Sequence, residues 1–153
     1  MIINTEIVDA YLNGEDMNKY SSLFIYKQAD RNIFQEPEKD KAEIVSKIKD
    51  EIIHHVNDFI PCNKRIWDTL FIDWQNDLDN IILDLVVGCK EPNDAFVLKD
   101  LNGRHHMIFD FLCWEKYVGK ISLSKLSQNL LTHELFHVLI GKYYTDIEKS
   151  EQF

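Results

Sequence analysis

The chain has 153 residues, 45% of them hydrophobic, 12% aromatic and 28% charged, with 17 Lys+Arg against 26 Asp+Glu. That length fits one domain around one core, and the apolar fraction excludes a chain too polar to fold. A net charge of −9 disfavours nucleic acid and anionic membrane surfaces as partners, because each requires a surplus of Lys and Arg on some face.

No apolar run approaches the ~20 residues that span a bilayer. Met1 is followed by neither a basic region nor a long apolar stretch, so a cytoplasmic protein is expected. Cys62, Cys89 and Cys113 are odd in number and never form a C-x-x-C pair. They are expected to be buried thiols in a reducing compartment rather than disulfides or a cysteine zinc knuckle.

In chain order, residues 5–12 and 16–30 read as helices separated by Asn13-Gly14, with Asp16 able to cap the second. Gln35-Glu36-Pro37 divides this piece from a helix over 38–59, where Ile44, Ile48, Ile52 and Val56 recur every four positions beside Val45 and Ile53. Pro61 is expected to end that helix. A further helix over 63–77 carries Ile66, Trp67, Leu70, Phe71 and Trp74 on one face. Residues 80–88, NIILDLVVG, then read as a buried strand. Two more strands, 95–98 and 106–111, flank Asn102-Gly103, which predicts a hairpin with a type I′ turn. Ser122 or Ser124 can open a last helix over 123–140, with Gly141 as its terminator. Helices, then a small sheet with a hairpin, then a helix make an α+β fold.

That last helix contains Thr132-His133-Glu134-Leu135-Phe136-His137-Val138-Leu139, the spacing H-E-x-x-H. Residues i and i+4 lie one turn apart on one helical face, so His133 and His137 can converge on one divalent cation, and zinc suits two imidazoles. Glu134 projects to the side of such an ion, where it can take a proton from the attacking water. The metal would activate that water and polarise a carbonyl, which is the chemistry of peptide hydrolysis. Leu130, Leu131, Leu135, Val138 and Leu139 would anchor the helix by their burial.

On His133, Glu134 and His137 the sequence resembles the zincin superfamily of metallopeptidases. Its order of elements is similar to that of small bacterial zinc-dependent peptidases and of short mobile-element peptidases that cleave repressors. The resemblance implies a Zn2+-dependent hydrolase of a peptide or protein substrate. It also implies a small sheet before the active-site helix, with an antiparallel edge strand lining the substrate cleft. By position, residues 104–111 match that edge strand. The metzincin continuation is absent, since Ile140 and Tyr143 stand where Gly and His would be required. The gluzincin arrangement takes its third ligand from a later helix, and Glu148 or Glu151 is the candidate here, with Asp146 nearby. The chain is read as a single zincin-like domain over 1–153, either with this ligand set or lacking a C-terminal subdomain. The alternative function is a catalytically inactive zincin-like domain that binds a protein or peptide partner.

Other residues offer groups for the same chemistry. His54 and His55 point ~100° apart on a helix and are expected to be solvated or packed. His105 and His106 alternate across a strand, so at most one faces the cleft. Tyr143 and Tyr144 could donate to an oxyanion or pack at the helix end. Asp84 within the apolar strand needs a partner: it either orients His133 or His137, a role Asp110 can also fill by position, or pairs with Arg65 or Arg104. The acidic stretches 36–40 and 73–79 read as solvated faces. No G-x-S-x-G and no glycine-rich phosphate loop occurs.

Overall fold

Four short strands form one sheet in the computed structural model, which describes residues 1–26, 37–71, 73–88 and 95–143, with backbone alone at 24, 59–63, 112, 113 and 143. The strands are β1 (Ile2–Asn4), β2 (Ile82–Val86), β3 (Ala95–Lys99) and β4 (His105–Asp110), in the order β1-β2-β4-β3. β1 and β4 both run parallel to β2, and β3 runs antiparallel to β4. Among the described residues there are five α-helices: α1 (Glu6–Leu12), α2 (Ala42–Leu70), α3 (Trp74–Asp79), α4 (Phe111–Trp114) and α5 (Leu123–Tyr143). The fold is thus α+β with a mixed sheet. None of the described helices is long and apolar enough to cross a membrane.

Sheet and helices share one core. Along β4, Met107, Ile108 and Phe109 are all 0% exposed although they alternate sides, so both faces of the sheet are covered. Each such side chain contributes about 1.5–3 kcal/mol by leaving water. The run 80–88 does supply β2. The three-residue β1 was not foreseen: it has no period to detect and becomes a strand only by pairing Ile2 with Ile82.

Four local expectations change. α2 passes through Pro61, so the two helices read over 38–59 and 63–77 are one, followed by the short α3. Proline removes one helical hydrogen bond and costs about 3 kcal/mol. Val45, Ile48, Ile52 and Val56 before it and Trp67 after it are buried on one stripe, and at about 1.5–3 kcal/mol each they outweigh that loss. Phe71 and Trp74 enter the core as expected, but from beyond the helix end, where Phe71 is extended. Ile66 and Leu70, expected beside them, are exposed instead.

Gly141 does not stop α5, which runs on to Tyr143. A helical glycine costs only about 1 kcal/mol, and Lys142 forms an ion pair with Asp77 of α3 that fixes this last turn. Residues 16–26 contain two short 3-10 turns, Met17–Tyr20 and Phe24–Tyr26, rather than an α-helix, with Asp16 capping the first through the Asn18 N–H. The remainder of the helix read over 16–30 lies outside the described residues.

The hairpin is also not the expected two-residue turn. The Gly103 N–H donates to the Asp100 carbonyl and the Asp100 N–H to the Arg104 carbonyl, with Gly103 at φ 77°. That is a three-residue loop ending in a glycine bulge. Asp100 explains the shift: its Oδ1 accepts the Asn102 and Arg104 N–H groups, both at 2.9 Å, and so organises the loop from its first residue.

Candidate metal centre

α5 opens at Ser122, whose Oγ accepts the Lys125 N–H at 3.2 Å. Its rotational setting then follows from its apolar residues. Leu131, Leu135 and Leu139 are 0% exposed, and Phe136 lies 5.8 Å from both Trp67 and Phe71, ring centre to ring centre. At ~100° per residue the three leucines occupy the side of the helix opposite His133 and His137, with Phe136 on the flank between them. The core therefore turns the two histidines outward, His133 exposed and His137 partly so, while Glu134 is buried beside them.

The two imidazoles converge. Their Nε2 atoms stand 2.9 Å apart, with ring centres 4.6 Å apart and planes at 76°. At that distance one Nε2–H donates to the lone pair of the other. A tetrahedral zinc holding both nitrogens at ~2.0–2.1 Å would set them roughly 3.3 Å apart, so a small rotation of either ring admits an ion in place of the shared hydrogen. These two residues fit zinc as a pair. Among the described residues, no group of three or more His, Cys, Asp or Glu side chains is disposed to hold a metal ion. Glu148 and Glu151, expected to complete the set, lie outside the described residues, as do Asp146 and Tyr144. So does Cys89, and the side chains of Tyr143, Cys62 and Cys113 are not described.

His133, Glu134 and His137 line one wall of a groove of about 1410 Å³, whose opposite wall is formed by Ala95–Lys99 of β3 and the hairpin loop. The strand along the groove is thus β3, the antiparallel edge of the sheet, and not residues 104–111. β4 pairs on both sides, with β2 and with β3, and so has no free edge to offer.

His105 lines the groove and His106 does not, as alternation requires. His106 is buried, with Nδ1 2.6 Å from Asp84 Oδ2 and Nε2 3.1 Å from Asp100 Oδ2. Asp84 also accepts from the Asn4 side chain at 2.7 Å. Asp84 therefore neither orients a histidine of α5 nor pairs with Arg65 or Arg104; its partners come from β1 and β4. Arg104 instead donates from Nε to the Asn80 carbonyl at 3.2 Å. Asp110 is 0% exposed on β4. The Arg104 N–H holds the Asp100 carboxyl below its ordinary pKa, against the raising effect of burial, with His106 and the Asn102 N–H adding to the lowering.

Sequence reasoning passed over Asp100 and Lys99 at the end of the groove, and read Arg104 only as a partner for Asp84 or the start of the cleft strand. The available signal was an aspartate two residues before Asn102-Gly103, a common way of capping a turn. Comparison of the chain with protein-family models, with curated proteins and with solved structures finds no match.

Proposed function

We propose that this chain is a zinc-dependent metallopeptidase of zincin-like architecture, acting in the cytoplasm on a peptide or protein substrate. The observation that carries this reading is the convergence of the His133 and His137 Nε2 atoms at 2.9 Å beside a buried Glu134, in a groove walled by an antiparallel edge strand. His133 and His137 hold the ion, and Glu148 or Glu151 is proposed as the third ligand. When bound, zinc supplies a Lewis acid and lowers the pKa of the attacking water. Glu134 takes that water's proton and can pass it to the leaving amine, and its burial keeps competing solvent away from the carboxylate. The outer edge of β3, which pairs with no further strand among the described residues, can bind an extended peptide by main-chain hydrogen bonds, laying it past the two histidines.

Metal content and turnover test the reading together. The purified chain should contain close to one zinc, which His133→Ala or His137→Ala should remove. Glu134→Gln should keep the zinc and lower hydrolysis of a cleaved peptide by about 10²–10⁴-fold. A chain with both histidines intact and no zinc overturns the proposal. Zinc retention with no hydrolysis of any peptide in a broad library would favour the inactive, peptide-binding alternative.

A further inference from the structure

The groove is lined by three acidic and three basic side chains, in a molecule whose net charge is −9. The acids are already engaged or buried. Asp77 is paired with Lys142, Asp100 holds two backbone N–H groups and His106, and Glu134 is 6% exposed. Two bases are left facing the groove. Lys99 is exposed and has no hydrogen-bond or ion-pair partner among the described residues, and among those same residues the Arg104 guanidinium meets the Asn80 carbonyl through its Nε.

Both cations belong to the hairpin end of the groove. Lys99 ends β3, Arg104 closes the hairpin loop, and the Asp100 N–H to Arg104 carbonyl bond ties the two ends of that loop. Their place along the groove follows from two further contacts. Arg104 reaches Asn80, just past α3, while Lys142 of α5 reaches Asp77 within α3. The loop and the C-terminal end of α5 therefore meet at the same end of the groove, beyond His137 and away from His133.

We infer that this end of the groove binds a carboxylate of the peptide, displaced along β3 from the bond that is cut. The inference rests on the peptidase reading for its ligand class and adds the charge that the ligand carries. Guanidinium and ammonium groups are the natural partners of a carboxylate, the former with two parallel N–H donors. Charges elsewhere on the acidic surface are screened beyond about 8–10 Å, so an anionic group is held here locally. The carboxylate has two sources, an Asp or Glu side chain or the peptide's own C-terminus.

Fluorescein-labelled peptides of one neutral sequence separate these sources. One version has both ends capped, one carries an internal Glu with both ends capped, and one has a free C-terminal carboxylate. Their binding to the full chain, as purified, is read by anisotropy at low and high salt. At least one carboxylate peptide should bind about three- to tenfold more tightly than the neutral one at low salt. The preference should shrink in salt, fall in Lys99→Gln and invert in Lys99→Glu. Which of the two carboxylate peptides gains identifies the source. Equal binding of all three peptides, or binding of none, overturns the inference. So does a Lys99→Gln variant that keeps the full preference, because the carboxylate is then held elsewhere, the metal included. Zinc content measured on the same preparation separates the two claims. A zinc-free chain that prefers carboxylates defeats the peptidase reading alone, and a zinc-loaded chain indifferent to charge defeats this inference alone.

Discussion

Three pairs of histidines stand in this chain, and spacing with secondary structure gives each pair a different environment. His54 and His55, adjacent on α2, each reach a carboxylate one turn away, Asp58 and Glu51, both at 3.3 Å. His105 and His106, adjacent on β4, part to opposite sides, one to the groove and one to the buried carboxylate of Asp84. Only His133 and His137, four apart on a helix, aim at a common point. That convergence was legible in the sequence because helical spacing is local. The partners of His106 were not, because Asp84 lies 22 residues away and meets it only once β2 and β4 pair. Asp100 sets a pH dependence at this scale. Its pKa is lowered in the folded chain, so its contribution to stability is fully present above the ordinary carboxylate value of about 3.9 and is lost as pH falls through the lowered one. Hydrogen-exchange protection of the Asn102 and Arg104 amides, corrected for intrinsic rates, should therefore decline on acidification before that of the β2–β4 ladder. Loss of both at the same pH would show that Asp100 does not hold the loop separately.

Among the elements, α2 shows where a strong local rule yields to packing. Pro61 ends a helix by its own chemistry, yet the stripe from Val45 to Trp67 can be buried against one core only if the helix continues. Pro61→Ala should restore the missing backbone bond and stabilise the protein by up to about 3 kcal/mol, seen as a higher urea midpoint at unchanged slope. A lower midpoint would mean that the ring itself supports the helix. Gly141 illustrates the same balance at smaller cost. The hairpin illustrates a different one, since Gly103 was rightly expected to take a positive φ but Asp100, three residues earlier, chose the turn. Strand order was out of reach of local reading. Nothing within residues 95–99 or 105–110 says which of the two will be the edge, and that decision placed β3 rather than β4 along the groove.

At the scale of the whole molecule, β1 closes the sheet on the side away from the groove. Removing residues 1–4 would expose the unpaired edge of β2 and take the Asn4 hydrogen bond from Asp84. Such a truncation should lower the thermal midpoint and increase light scattering as exposed edges associate; an equally stable, monodisperse product would show that β1 is dispensable. β1 carries another consequence, for biosynthesis. Ile2 finds its strand partner only at Ile82, and the next strand inward begins at His105. Helical segments can form soon after they emerge from the ribosome, whereas this sheet cannot assemble until most of the polypeptide has left the exit tunnel. For that interval the apolar side chains of Ile2 and Ile3 have no sheet to join, which makes the nascent chain a natural client for chaperones that shield hydrophobic segments.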